Sequence, residues 1–249
     1  MLYLFGKIAN LDANLDKVMK GRYNEKTPQV MQTKAMSVFE QIAKLKVVPV
    51  IAIETSGAAL SLADALIEGG LAIAEITFRT LAAAAVIRKM ADERPSLLVG
   101  AGTILTLDNL KAAVDSGAKF GVAPGFNPKT VEAAQKMNFP FVPGVCTPSD
   151  VEAALSCGCK ILKFFPAGAM GGLDMLKSLI APYGHTGVQF MPTGGVSPTN
   201  LGEYLATQGV IACGGTWLAT KDDIGGGKWD LIASRCREVV SLTAPVNSN

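Results

Sequence analysis

The feature that most narrows the fold is a unit that repeats from about Val47 onward. A short β-branched or apolar run is followed by a turn, then by apolar residues at helical spacing. The runs are Val47–Ile53, Ile73–Thr77, Leu97–Gly102, Phe120–Ala123, Phe139–Val142, Ile161–Phe164, Gln189–Pro192 and Val210–Gly214. Apolarity in each is continuous rather than alternating, which predicts strands covered on both faces, as in a parallel sheet. Thr106 is an N-cap for a helix over Leu107–Ser116 that Gly117 ends, and Pro148 opens Ser149–Ser156, ended by Gly158. Ser61–Glu68 closes on Gly69-Gly70, Pro198 opens a helix ending near Gly209, and Trp229–Thr243 reads as a final amphipathic helix. Strands alternating with helices predict an α/β fold with crossover connections.

Eight such units can form an open doubly wound sheet or a closed (β/α)8 barrel. Polar residues decide between them: Glu54, Glu75, Thr103, Lys163, Thr193 and Gly214-Gly215-Thr216 sit at the carboxyl ends of the runs. A TIM-type barrel gathers all eight strand ends at one mouth, whereas an open sheet gathers only those beside its switch point. The expectation is one (β/α)8 barrel domain over residues 36–249. Residues 1–35 are more polar and mixed in charge. They read either as a helix capping the barrel's floor or as an artefact of start choice, Met31 and Met36 both being candidate initiators.

Composition excludes several classes. With 249 residues, 18% charged and a net charge of +2, the chain carries no electrostatic footprint for nucleic acid or a membrane surface. No apolar run reaches the length that spans a bilayer. The apolar start Met1–Phe5 is too short for a signal peptide and is soon followed by Lys7, Asp12 and Asp16. The expected location is the cytoplasm, where the odd cysteine count of 5 implies reduced thiols. Cys157 and Cys159 make only a C-x-C, read as small buried residues rather than a metal or redox pair. The single histidine, His185, lies in a loop and is read as a surface residue, and no clustered carboxylates appear, so no metal site is expected.

Three features carry chemistry. Lys163 sits inside the apolar run Ile161-Leu162-Lys163-Phe164-Phe165-Pro166. Burying an unpaired ammonium is costly, so the residue is either a salt-bridged structural lysine or an amine held for Schiff-base chemistry. Glu75 lies on a strand whose alternation puts Glu75, Thr77 and Arg79 on one face. Pairing with Arg79 alone would be its structural explanation. Counting runs, Glu75 is on the second and Lys163 on the sixth, and even-numbered barrel strands point into shared layers. The third feature is Thr193-Gly194-Gly195 and Gly214-Gly215-Thr216 after the last two runs. Glycines there expose backbone N–H groups to an anion such as phosphate, although glycine pairs also serve tight turns.

Read together, Val48-Pro49-Val50, Glu75-Ile76-Thr77-Phe78-Arg79-Thr80, Gly100-Ala101-Gly102-Thr103, Pro124-Gly125, Pro143-Gly144, Lys163-Phe164-Phe165-Pro166, Pro192-Thr193-Gly194-Gly195 and Gly214-Gly215-Thr216-Trp217 closely resemble the KDPG/KHG aldolase family. Its substrates are 2-keto-3-deoxy-6-phosphogluconate (KDPG) and 4-hydroxy-2-oxoglutarate (KHG). The resemblance implies a homotrimeric, cofactor-free class I aldolase of the Entner–Doudoroff pathway acting on a small keto acid phosphate. Lys163 matches the Schiff-base lysine and Glu75 the general acid/base. Arg79 and Thr103 match holders of the pyruvate-end carboxylate, and Pro124 and Phe165 the apolar walls. Thr193 matches a contact to the sugar chain, and Gly194, Gly195, Gly214 and Thr216 match the phosphate site. Two positions depart: Thr216 replaces the usual serine, keeping the hydroxyl but adding a methyl, and Ala123 replaces a frequent serine. The first thirty-odd residues have no counterpart. The competing readings are a phosphate-binding barrel isomerase or epimerase, which leaves Lys163 without a role, and an inactive scaffold barrel.

Overall fold

Continuous apolar strands need cover on both sides, and the strands here have it. β1 (Val47–Ile51), β2 (Ile73–Thr77), β3 (Leu98–Gly102) and β4 (Phe120–Val122) are buried at every position. The structure, a computed structural model, describes residues 36–243. The readings made for residues 1–35 lie outside the described residues.

The remaining strands are β5 (Phe141–Val142), β6 (Gly144–Val145), β7 (Ile161–Phe164), β8 (Gln189–Phe190) and β9 (Cys213–Gly215). All pairings are parallel, in two sheets ordered β5-β4-β3-β2-β1-β9 and β6-β7-β8. Only Pro143 separates the two sheets between β5 and β6. At the other junction, single parallel bridges join Phe190 to Val210 and Thr193 to Gly214. The chain is thus an α/β protein with a strongly curled parallel sheet.

Helices follow the strands: α1 (Val38–Leu45), α2 (Ala59–Glu68), α3 (Ala83–Glu93), α4 (Leu107–Asp115), α5 (Pro128–Lys136), α6 (Pro148–Ser156), α7 (Gly172–Tyr183), α8 (Leu201–Ala206), α9 (Lys221–Gly225) and α10 (Trp229–Thr243). Their starts are chemically marked. Thr106 accepts from the Asn109 N–H, Asn127 caps α5 ahead of Pro128, and Thr147 and Asp150 form a capping box. Each such cap contributes about 1 kcal/mol. The helices lay apolar faces on the sheet, and α10 seals against α2, where Gly69 leaves room for Cys236. Phe120, Phe164 and Phe190 are among the largest fully buried side chains, each worth about 1.5–3 kcal/mol of burial.

Four expected boundaries differ in the structure. The run Phe139–Val142 pairs only from Phe141 and resumes after Pro143, because proline has no N–H for the ladder. Pro143 still contributes its carbonyl, which accepts from the Lys163 N–H at 2.8 Å. The interruption makes Lys163's strand the seventh segment, β7, rather than the sixth. The last strand holds Cys213–Gly215, with Val210 contributing a lone bridge, and the run ending at Pro192 pairs formally only to Phe190. The helix expected from Pro198 begins at Leu201. The Asn200 carboxamide accepts from the Ser197 N–H and donates to the Gly195 carbonyl, so these residues form a turn instead. His185 is exposed, as expected, in a single 3-10 turn over Gly184–Thr186. No described helix is long and apolar enough to cross a membrane.

Candidate active site

Glu75 and Lys163 lie 88 positions apart in sequence, and the fold joins them: Lys163 Nζ donates to Glu75 Oε1 at 3.2 Å. The two residues are 0% and 4% exposed. Glu75 is the middle residue of β2, and its carboxylate leans over Gly102 on the neighbouring strand β3. A Cβ at Gly102 would collide with Glu75 Oε1, so that glycine is a spatial requirement of the site. Lys163 Nζ also lies 5.3 Å from the centroid of the Phe165 ring, within range of a cation–π contact.

Both structural explanations offered for these residues can now be weighed. Glu75 does not pair with Arg79. Arg79 is exposed, and its Nε donates to Thr77 Oγ1 at 3.3 Å, while Thr77 donates to the Ile51 carbonyl at 3.0 Å. Lys163 is salt-bridged, but the pair is poorly made as a structural element. Its 3.2 Å separation is longer than the usual charge-assisted bond. Glu75 Oε2 is buried with no hydrogen-bond partner among the described residues. Desolvating two charges costs several kcal/mol per ion unless the remaining lone pairs are satisfied. A buried carboxylate oxygen left open beside an amine is better suited to exchanging a proton with a bound molecule than to holding strands together.

Around this pair the other expected residues fall into two groups. Thr103 follows Gly102 at the end of β3 with φ of 56°, a rare backbone state for threonine that marks a constrained turn. Pro124 packs its backbone against Gly144, between β4 and β6. Phe165 is half-buried and borders Gly194. The second group follows β8 and β9, and Thr193 donates its N–H to the Phe164 carbonyl at 2.9 Å. Thr193 is buried, and its hydroxyl donates to the Met191 carbonyl at 3.4 Å. Gly194 and Gly195 have φ of 86° and 84°, the left-handed region that only glycine enters without strain. Their carbonyls are held, Gly194's by the Gly168 N–H at 2.7 Å and Gly195's by Asn200 at 3.0 Å. Gly214 is required for a different reason: a Cβ there would strike the Thr193 side chain. Thr216 is exposed at the end of β9.

Several contributors were not singled out from the sequence. Thr77 was placed on the right face but given no task, although it is the residue that holds Arg79. Gly102 and Gly144 appeared only within motifs of the family resemblance and Gly168 gave no signal, because each is needed only where a distant backbone or side chain approaches. Cys213 and Cys236 are buried, but Cys146, Cys157 and Cys159 are half-buried, so the C-x-C pair is less covered than the sequence suggested. Burial pushes the Cys159 thiol up to about 11 and those of Cys213 and Cys236 up to about 12, far from thiolate reactivity.

A parallel α/β sheet with a buried lysine–carboxylate pair on its strands and a glycine-lined loop beside it defines an enzyme of the Schiff-base-forming lyase type. Residues 38–235 match the family described as KDPG and KHG aldolase. The chain belongs to that family. It is 45% identical over 212 residues to the 2-dehydro-3-deoxy-phosphogluconate aldolase of Haemophilus influenzae, covering 85% of this chain and 99% of that one. Among solved structures it is similar to the KDPG aldolase of Legionella pneumophila with pyruvate captured as a covalent carbinolamine intermediate. That match has a TM-score of 0.77 and 36% identity over 81% of this chain and 97% of the other. The Zymomonas mobilis KDPG aldolase, solved with 3-phosphoglycerate, matches with a TM-score of 0.76 and 34% identity over 85% and 99%.

Proposed function

We propose that this chain is a class I aldolase that cleaves 2-dehydro-3-deoxy-6-phospho-D-gluconate to pyruvate and D-glyceraldehyde 3-phosphate, with 4-hydroxy-2-oxoglutarate as a second substrate. The observation that carries the reading is the buried Lys163–Glu75 pair with one carboxylate oxygen open. Lys163 Nζ adds to the C2 ketone to give a carbinolamine, which loses water to form an iminium. Glu75, directly or through water, takes the C4 hydroxyl proton. The C3–C4 electron pair moves into the iminium, giving an enamine, and the aldehyde leaves. Protonation at C3 and hydrolysis return pyruvate and free Lys163. Phe165 and Pro124 wall the reacting carbons, and Thr193 contacts the sugar chain.

We read the curled sheet as a closed (β/α)8 barrel, with β5 and β6 as one strand broken at Pro143, and the barrel domain as residues 36–249 of the sequence. The parallel bridges Phe190–Val210 and Thr193–Gly214 between the two sheets support that closure. By family resemblance the enzyme is a cytoplasmic homotrimer of the Entner–Doudoroff pathway, and sedimentation of the purified protein tests the assembly. Incubating the protein with each substrate and following pyruvate release tests the activity. Failure to cleave either substrate would overturn the proposal.

Arg79, steered by Thr77, holds the carboxylate at the pyruvate end together with Thr103. Arg79→Ala is expected to weaken keto-acid binding by about 1.5–3 kcal/mol, the range for a hydrogen bond to a charged group. An unchanged KM for pyruvate in the condensation direction would remove Arg79 from that role.

The loops of Gly194-Gly195 and Gly214-Gly215-Thr216 hold the phosphate. No lysine or arginine lies between Gln189 and Asn200 or between Val210 and Thr220, so backbone N–H groups and the Thr216 hydroxyl supply the donors. Because Gly214 is spatially required by Thr193, a side chain there would disturb the sugar-chain contact as well as the phosphate loop. Thr216→Val is the cleaner probe. It is expected to raise KM for the phosphorylated substrate about tenfold, the loss of one hydrogen bond to a charged group. KM for 4-hydroxy-2-oxoglutarate should be unchanged, and equal shifts on both substrates would count against the phosphate site.

A further inference from the structure

The loop that leaves β9 is tied down by a buried acidic residue to which the chemistry above assigns no part. Asp223, in α9, is 5% exposed. Its Oδ2 accepts from the Thr220 hydroxyl at 2.6 Å and from Arg235 at 2.6 Å, and its Oδ1 accepts from Lys228 at 3.3 Å. These donors, the Thr220 hydroxyl first and Arg235 next, hold the Asp223 carboxyl well below the usual carboxylate range. The same Arg235 nitrogen that reaches Asp223 also donates to the Trp217 carbonyl at 3.1 Å. Trp217 in turn lies directly over Gly215, where a Cβ would collide with the indole ring. A chain of contacts therefore runs from Asp223 through Arg235 to the backbone at Trp217, and from its ring to Gly215. Thr216 lies between those last two residues and has no hydrogen bond of its own from its side chain to the described residues.

We infer that Asp223 and Arg235 are positioning residues for the phosphate end of the site: they fix the Gly215–Trp217 segment so that its N–H groups and the Thr216 hydroxyl converge on the phosphate. The inference rests on the phosphate-site reading above. Its physical ground is that neutral donors bind an anion well only when they are already oriented. A loop that must reorganise on binding loses part of the affinity its contacts would supply. Thr220, as N-cap of α9, anchors the other end of the segment and shares Asp223 as its partner. Arg235 lies in α10, which packs against α2 on the outside of the sheet, so the segment is referenced to the scaffold rather than to the substrate.

The test compares Arg235→Met, which keeps an apolar stem but removes both donors, with Asp223→Ala, their double variant, and Thr216→Val. KM and kcat are measured on both substrates, with competitive inhibition by inorganic phosphate and thermal midpoints alongside. Each single variant is expected to raise KM for the phosphorylated substrate and the inhibition constant of inorganic phosphate several-fold to about tenfold. The kcat and KM for 4-hydroxy-2-oxoglutarate should stay within about twofold. The double variant should shift no further than either single, because the two residues act as one unit. A merely structural pair would lower the thermal midpoint and lose both substrates together, and that result overturns the inference. If Thr216→Val raises KM for the phosphorylated substrate while Arg235→Met and Asp223→Ala do not, this inference fails and the phosphate site stands. If none of the variants separates the two substrates, both fall.

Discussion

Incubation with pyruvate and borohydride is expected to attach one three-carbon unit per chain, on Lys163, and Lys163→Arg is expected to abolish both trapping and turnover. The guanidinium keeps a positive charge against Glu75, so the buried carboxylate is not left alone. Breaking such a pair outright would cost about 3–5 kcal/mol and confuse activity with unfolding. The guanidinium cannot supply a neutral amine to a ketone. The expected loss is on the order of 10⁴–10⁶-fold, the range seen when one member of a catalytic unit is removed. Mass spectrometry of the reduced adduct locates the modification. Labelling on another lysine, or turnover surviving in a folded Lys163→Arg protein, would end the Schiff-base mechanism. A phosphate-binding isomerase working without an imine would also leave no reduced adduct, so the same experiment separates the two enzyme readings.

Glu75→Gln is expected to leave the pyruvate adduct intact while slowing cleavage by about 10²–10⁴-fold, the usual contribution of a positioned acid/base. The carboxamide preserves the shape that fits over Gly102, where there is no room for a different side chain to rearrange. It can still accept from Lys163 through its oxygen, but it cannot take up the C4 hydroxyl proton. Single-turnover trapping and steady-state kcat, measured on the same preparation, separate imine formation from carbon–carbon cleavage. If kcat stays near that of the unaltered protein, Glu75 is not the base, and the open Oε2 would need another explanation.

Much of this site was legible in the chain alone, and the reason is the cost of burial. Lys163 stands out inside Ile161–Phe164 because a strand that apolar has to be covered, and a covered ammonium needs a purpose. Glu75 stands out in Ile73–Thr77 for the same reason. The helix starts at Thr106 and Pro148 were legible because an N-cap and a first-turn proline are local chemistry, complete within four residues. What was misplaced is also local in origin but depends on which atoms find partners. Pro143 lies just past the run Phe139–Val142 and Pro192 ends its own. Each breaks the regular pairing because its missing N–H matters only once a neighbouring strand is present, while its carbonyl still accepts, from Lys163 and Gly214 respectively. The turn at Ser197–Asn200 overrode the helix expected from Pro198 because Asn200 found the Gly195 carbonyl.

By itself, then, the amino-acid order determined the element pattern, the parallel α/β class and the two residues that cannot be buried cheaply. Those properties depend on each segment's own apolarity, propensity and charge. Only the tertiary structure decided who meets whom. It set Lys163 3.2 Å from Glu75 Oε1 and left Oε2 open, passed Arg79 to Thr77 rather than to Glu75, and made Gly102 and Gly214 spatial necessities rather than turn residues. It also linked Asp223 through Arg235 to the carbonyl of Trp217. Those facts depend on distances between strands and helices far apart in the chain, and such distances exist only after the sheet has curled and its helices have packed.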